Sequence, residues 1–240
     1  MPNYTIYEDK IYEDSIETAV VEYITNLAEN SINKRGSFII GLSGGSLATF
    51  LGKLMFPVRA QMDKWHVFLV DERFVPIDHP DSNYRAIREA WTDCLKCQWY
   101  PAVFNCDNIN VDDAAVKYEA VIKNVFGKYN TDSFDLLLLG LGPDGHTALL
   151  FPSHPDFLKN LTTSSLVIPV RDSPKPPSLR ISLSPKAIKD AKASAFIITN
   201  SAAKAPIIKS IIKDHDKQYP PSIVAEKSHW FLDKISSSHL

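Results

Sequence analysis

The chain has 240 residues, 45% hydrophobic and 22% charged, an ordinary globular composition with length enough for one large core. Its net charge of −2 excludes a protein whose main work is gripping nucleic acid, since counterion release demands a strongly basic face. No segment approaches the length of a membrane span, and Met1 to Lys10 lack the basic start and apolar run of a leader, so the expected location is cytoplasmic.

In chain order, Ile16, Val20, Tyr23, Ile24 and Leu27 recur at helical spacing and predict an amphipathic helix over about 14–33, started by Asp14 or Ser15. A buried strand, Phe38 to Leu42, follows and runs into Ser43-Gly44-Gly45-Ser46, with Leu47 to Met55 as the next helix. Small residues and free backbone N–H groups where a strand meets a helix N-terminus suit an anion such as phosphate, or a sugar hydroxyl; a tight turn needing glycine is the plainer reading, and both are compatible. Gly41-Leu42-Ser43-Gly44-Gly45 also fits the Gly-x-Ser-x-Gly nucleophile elbow. In that fold several strands precede the elbow, whereas one helix and one strand precede Ser43, which argues against an acyl-serine.

Trp65 to Val70 reads as a second buried strand that delivers Asp71-Glu72-Arg73 at its end, and Phe74-Val75-Pro76 forms an apolar, rigid loop to hold the guanidinium in place. Helices are expected over 81–92 and 112–127. Between them lie Cys94, Cys97 and Cys106, too few and too irregularly placed for a four-ligand zinc site, and they read as reduced structural thiols.

The run from Phe134 to Leu139 carries one polar residue, Asp135, and leads through Gly140-Leu141-Gly142-Pro143 to Asp144-Gly145-His146. A buried strand thus delivers an acid and an imidazole beyond its carboxyl end, where ligands bind in open α/β sheets. His146 titrates near neutrality before any perturbation, and Asp144 can orient it or hold its proton. Thr147 to Phe151 reads as the start of a helix packed on the core. His154 invites a metal guess, but no third ligand stands at matching spacing.

Strands are expected at Leu166 to Val170, ending in Arg171, at Leu179 to Leu183 and at Ala193 to Thr199, with a last helix over 201–213. The Pro/Ser-rich stretch 173–178 is too short for a tether and carries Lys175, so it reads as a site loop. Arg171 and Lys175 supply a guanidinium and an ammonium, the two kinds of phosphate donor. The alternation of strands and helices predicts one α/β domain, 1–240: a Rossmann-like, mostly parallel sheet with helices on both faces. The end of the chain, Ser238-His239-Leu240, reads either as a polar tail or as a variant of the Ser-Lys-Leu peroxisomal address, which would add an import receptor as partner.

Ser43 to Ser46, Val70 to Pro76, Asp81-Ser82-Asn83-Tyr84, Leu139 to Ala148, and Ser173 to Pro177 with Arg180 to Leu183 match in order the motifs of the 6-phosphogluconolactonase family, which the chain resembles over nearly its whole length. Leu47 and Leu149 depart from the Thr and Ser of many members. The resemblance implies the fold shared with glucosamine-6-phosphate deaminases and ribose-5-phosphate isomerases, and hydrolysis of 6-phospho-D-glucono-1,5-lactone to 6-phosphogluconate in the oxidative pentose phosphate pathway. It implies no metal or other cofactor. His146 would then be general base toward water, partnered by Asp144, with Arg73 polarising the carbonyl. The phosphosugar would be held by Ser43, Gly44, Gly45, Ser46, Asp71, Arg171 and Lys175. A phosphosugar deaminase is the nearest rival, but Thr147 to Pro152 lacks the acid that its proton transfer needs; a binding protein on a lactonase scaffold would be expected to have lost Asp144, His146 or a cation.

Overall fold

A computed structural model describes residues 2–7, 15–152 and 154–240. Among them, seven parallel strands form one sheet: β1 (Asn3–Tyr7), β2 (Phe38–Leu42), β3 (Trp65–Leu69), β5 (Gln98–Tyr100), β6 (Leu136–Leu139), β9 (Ser194–Ile198) and β10 (His229–Asp233), in the order β1-β10-β9-β6-β2-β3-β5. A second sheet of three antiparallel strands, β4 (Asp71–Arg73), β8 (Arg180–Leu183) and β7 (Val167–Val170), lies in the order β4-β8-β7. The α/β class and the parallel sheet agree with the expectation from sequence.

The leucine run explains the core. Strands buried on both faces read as continuous hydrophobic stretches, and in β6 the alternate side chains part company. Leu136 and Leu138 join one apolar cluster with Phe38, Ile40, Trp65 and Val67, whereas Leu137 and Leu139 join another with Ile39, Phe68 and Val70. Helix α1 (Ile16–Arg35) packs its Val20, Ile24 and Ala28 into the first cluster, and α4 (Val111–Lys128) packs Tyr118 and Ile122 into the second.

The helices begin and end where local chemistry says they should. Ser15 caps α1, its Oγ accepting from Thr18 N at 3.1 Å, and Gly36 closes it at φ 78° with its N–H on Ile32 O. The alternative start, Asp14, lies outside the described residues. Ser82 and Asn110 cap α3 (Asn83–Ala90) and α4 in the same way.

Asp135, the single polar residue of the leucine run, is the anchor between β2 and β6. Its carboxylate is 1% exposed, accepts from Ile39 N at 2.8 Å, and pairs with Arg35 and, at 3.0 Å, with Lys192. Helix α1, strand β2 and strand β6 are therefore tied together at one end of the sheet.

Several expectations need correction. The helix after Ser46 is only α2 (Ser46–Leu51), because Gly52 follows and Pro57 soon after. Thr147 to Phe151 is no helix: Ala148 sits at φ 51°, and Thr147 and Leu150 form an isolated bridge, and the next helix is α5 (Pro155–Asn160). Asp71-Glu72-Arg73 does not trail off a strand end but forms β4, since it finds β8 as an antiparallel partner. Leu166 to Val170 and Leu179 to Leu183 likewise hold β7 and β8 of the second sheet rather than strands of the main one. Strands β1, β5 and β10 lie outside the elements expected from sequence: β1 and β5 occupy the two edges of the sheet, and β10 neighbours the edge strand β1. The last long helix, α7 (Ala205–Ile212), is shorter than 201–213, after a tight turn at Ala202–Lys204. Between and after these stand α6 (Pro185–Asp190) and α8 (Pro221–Val224). Burial pushes the Cys94 thiol up to about 11 and the Cys97 thiol up to about 12, as suits structural thiols. Among the described residues no helix is long and apolar enough to cross a membrane.

Breaking a buried ion pair by removing one partner costs about 3–5 kcal/mol, because the other charge is left desolvated. Asp135→Ala should therefore lower the unfolding free energy by about that amount, measured by urea denaturation, with Arg35→Ala costing less because the buried carboxylate then keeps Lys192 and the Ile39 N–H as partners.

Candidate functional site

From β2 the chain moves outward on one side through β3 to β5, and on the other side β6 is followed by β9 and β10. The carboxyl ends of β2 and β6 are thus neighbours from which the connections part, and a crevice opens there. It is a cleft of about 350 Å³, floored by the two turns that leave those strands, Ser43–Ser46 after β2 and Gly140–His146 after β6. The second sheet supplies the opposite wall with Asp71, Arg73 and Arg180, and the 175–176 loop and Lys204 complete it.

The turn after β6 holds the imidazole. His146 Nδ1 is hydrogen-bonded to Asp144 Oδ1, and the His146 ring lies 4.7 Å from that of Phe151, which is buried under it. A Cβ on Gly142 would come within 2.0 Å of His146 Nδ1 and 2.6 Å of Asp144 Oδ1, so the pair can close only over a glycine. With Nδ1 engaged by a carboxylate, Nδ1 carries the proton and Nε2 is left with a lone pair. Burial pulls the imidazole below its ordinary value, against the opposing effects of the Asp144 hydrogen bond and charge; Lys175 pulls the same way as burial. His146 is therefore neutral at pH 7. Burial raises the Asp144 carboxyl, but the His146 hydrogen bond and charge, with Lys175 at 3.7 Å, outweigh it and hold the group below the carboxylate range.

The turn after β2 is shaped by α3. Glu72 is buried and its carboxylate accepts from Arg73 N (2.8 Å), Asn83 N (2.7 Å), Tyr84 N (2.9 Å) and Ser82 Oγ (3.1 Å), which fixes the start of α3 against β4. Asn83, so placed, donates from Nδ2 to Asp71 O at 2.9 Å and Oδ2 at 3.1 Å. A Cβ on Gly44 would stand 2.0 Å from Asn83 Oδ1; the glycine lets the turn lie against that amide. Burial raises the Asp71 carboxyl, opposed by Arg73 and Arg180.

Antiparallel pairing puts Arg73 directly opposite Arg180. The Arg73 guanidinium donates from Nη1 to Asp81 O at 2.5 Å, and its buried Nε has no partner among the described residues. Arg180 holds the site loop by donating to Pro177 O (2.9 Å), Lys175 O (2.9 Å) and Pro176 O (3.0 Å).

Of the residues expected from sequence, Ser43, Gly44, Gly45, Ser46, Asp71, Arg73, His146 and Lys175 line one cleft, and Asp144 stands behind His146. Arg171 is not brought there. It lies exposed at the end of β7 and is paired with Asp112 at the start of α4, because the antiparallel turn of the second sheet carries it away from the cleft. Arg180, Lys204 and Asn83 take places that the sequence reading did not assign. Arg180 and Asn83 stood inside matched motifs, which was a usable signal; Lys204, half-buried and pulled down by burial and by Lys175, had none. The Ser43 hydroxyl is buried and has no hydrogen-bond partner among the described residues, so none of them is set as a base to activate it as a nucleophile. His154 pairs with Asp172 at 3.2 Å, and among the described residues no three His, Cys, Asp or Glu side chains gather to hold a metal.

Residues 12–232 match the family model for glucosamine-6-phosphate isomerases/6-phosphogluconolactonase. The chain is 39% identical over 213 residues to a Drosophila melanogaster protein named "Probable 6-phosphogluconolactonase", covering 88% of this chain and 84% of that one. With the "Probable 6-phosphogluconolactonase" of Schizosaccharomyces pombe it shares 34% identity over 242 residues, covering 94% and 92%. Among solved structures, a 6-phosphogluconolactonase from Thermotoga maritima is 28% identical with a TM-score of 0.71, covering 97% of this chain and 100% of that one. One from Shewanella baltica, 20% identical, has the same fold with a TM-score of 0.78 over 97% and 98%.

The opposing influences on His146 can be separated. Asp144→Asn removes the partner that raises the imidazole and should push its pKa further down; Lys175→Met removes a cation that lowers it and should bring it up. Histidine NMR titration of the two variants measures both shifts, and equal or reversed directions would contradict the arrangement.

Proposed function

Because this chain belongs to the glucosamine-6-phosphate isomerase/6-phosphogluconolactonase family, we propose that its cleft hydrolyses 6-phospho-D-glucono-1,5-lactone to 6-phosphogluconate, a step of the oxidative pentose phosphate pathway, with His146 as general base. The observation that carries this is a neutral imidazole, held at Nδ1 by Asp144, in a cleft whose remaining walls carry the cations Arg73, Lys175, Arg180 and Lys204.

His146 Nε2 takes a proton from water as the water oxygen bonds to C1, and the carbonyl electrons move onto the C1 oxygen. Asp144 is the anion beside the imidazolium so formed. Arg73 stabilises the oxyanion, since fixed positive charge aimed where charge develops is often the largest electrostatic term. The carbonyl then re-forms, the bond from C1 to the ring oxygen breaks, and Nε2–H returns its proton to the C5 oxygen. Lys175 and Lys204, with the backbone N–H groups of Ser43 to Ser46, hold the dianionic phosphate, and Arg180 keeps Lys175 in place through the loop carbonyls.

Water activation here uses no metal, a reading supported by the absence, among the described residues, of a cluster that could hold one. Thr147 to Phe151, all buried and without a carboxylate, favours the lactonase over a deaminase. The chain reads as one catalytic domain, supported by a sheet that takes strands from residues 3–7 and 229–233. Its proposed location is cytoplasmic. A receptor reading Ser238-His239-Leu240 would have to lift Leu240 from the main core, against which it is half-buried, and break its N–H bond to Ser237 O at 2.9 Å.

His146→Ala should lower kcat about 10²–10⁴-fold after subtraction of spontaneous hydrolysis, the usual contribution of a general base, with little change in binding of 6-phosphogluconate; wild-type turnover would sink the assignment. Lys175→Ala should chiefly raise KM. The base must be unprotonated, and burial holds it below the ordinary imidazole value of about 6.5. The acid limb of the kcat/KM profile should therefore lie below that pH.

A further inference from the structure

A groove of about 280 Å³ lies apart from the catalytic cleft and shares none of its lining residues. The loop over 101–109 forms one side, and α4 forms the other with Ala114, Lys117, Tyr118 and Val121. Val103, Ala114 and Tyr118 are buried members of the main core. The Tyr118 hydroxyl is already engaged by Leu69, accepting from its N–H at 2.7 Å and donating to its carbonyl at 2.9 Å. The depth of the groove therefore offers apolar contact.

Its rim has two features that the fold of one chain leaves unused. Phe104, on the loop side, is 71% exposed, and Val121, on the helix side, is 39% exposed. A phenyl ring left in water at the mouth of an apolar hollow is a contact patch rather than a stray surface residue. The two charged residues of the lining are opposite in sign and lie on opposite sides, Asp107 in the loop and Lys117 on α4. Both are exposed, and neither side chain has a hydrogen-bond or ion-pair partner among the described residues. The charges around them are engaged elsewhere: Asp112 pairs with Arg171, Lys123 pairs with Glu119, and Asp113 accepts from Asn110 Nδ2 at 2.9 Å. Asp78 adds negative charge on the loop side, since it follows Ile77, whose N–H donates to Phe104 O; the Arg85 that donates to the Asp78 carbonyl is paired with Glu89.

We propose that this groove is an interface between two copies of the chain, related by a two-fold axis that passes through it. A partner of one sign would match one side of the groove and be repelled by the other. An identical surface turned by 180° sets the acidic loop side of each copy on the basic helix side of the other, so the same contact forms twice. Asp107 of each copy then faces the side that carries Lys117 of the second copy, and each Phe104 leaves water for the apolar helix side opposite. Twelve residues line the groove, fewer than the about 20–30 a side of a standard interface, which makes the dimer weak and dependent on concentration.

Analytical ultracentrifugation of the full-length protein, from about 1 μM to about 1 mM, tests the interface. The weight-average mass of the wild type should rise with concentration from that of one chain toward that of two. Phe104→Asp should weaken this association at least about tenfold, since it removes an aromatic anchor from each half. Lys117→Glu and Asp107→Lys should each weaken it about tenfold, because two attractions become two repulsions. An equal mixture of those two variants should recover wild-type association: in the mixed dimer Glu at 117 meets Lys at 107, and the native Asp107 meets the native Lys117. A structural effect within one chain cannot be repaired by mixing. Thermal unfolding near wild type establishes that each variant is folded. A wild type that keeps the mass of one chain throughout would overturn the proposal and leave the groove to a different protein or to a small apolar molecule. A dimer that survives Phe104→Asp would place the contact elsewhere, and a mixture no tighter than its separate components would overturn the two-fold pairing.

Discussion

The site depends on the parallel pairing of β2 with β6. The register, Ile40 opposite Leu136 and Leu42 opposite Leu138, sets the two carboxyl ends side by side, and Ser43 N donates to Leu138 O at 3.0 Å as the chain leaves the sheet. Asp135 locks the other end: its backbone N–H donates to Ile39 O, its side chain accepts from Ile39 N, and Arg35 and Lys192 supply the balancing charge. A slip of one residue would turn every side chain of β6 to the wrong face. It would also part the glycine turn that holds His146 from the serine-glycine turn that faces it. The polar residue inside the leucine run is thus what allows an otherwise featureless hydrophobic strand to have one position.

From that pairing the electrostatics follow in layers. The cleft gathers four cations around one imidazole, and left alone they would cost the site stability and push His146 further from protonation. Asp144 opposes this at the imidazole, and Asp71, held by Asn83, opposes it at the guanidiniums. Glu72 never enters the cleft, yet by accepting four hydrogen bonds it fixes Asn83 and with it Asp71. The balance leaves a net positive cavity with an imidazole lowered by burial inside it, which suits the dianionic substrate and the base role proposed above.

Much of this was legible in the sequence, for identifiable reasons. Strands β2, β3 and β6 are buried on both faces and advertise themselves as apolar runs; the glycines at 44 and 142 mark places where backbone must approach a side chain closely. His146, Asp144 and the Ser43 to Ser46 turn are local consequences of those strands ending. The misreadings were of long-range partners. Thr147 to Phe151 has a helical look, but it is buried beneath His146 as an irregular hairpin-like segment, where packing of Leu149 and Phe151 against Val170 outweighs propensity. Three-residue strands such as β4 and β5 carry too short a pattern to be seen before their partners are known.

The sequence alone determined the class of fold, the strand ends that carry chemistry, and the imidazole with its carboxylate, because each is written in neighbouring residues and in burial periodicity. Which cations share the cleft was decided only by tertiary structure. Arg171 directly follows β7 and Arg180 opens β8, nine positions apart around one antiparallel turn, and nothing local says which is turned inward. Pairing with β4 sets Arg180 opposite Arg73 and over the site loop, while Arg171, at the other strand's end, reaches Asp112 on the outside. Lys204 arrives from a turn more than 50 residues beyond His146 in the chain, brought there by β9 lying next to β6. Charge placement of this kind is a property of strand order, and strand order is set by how the whole hydrophobic surface is buried.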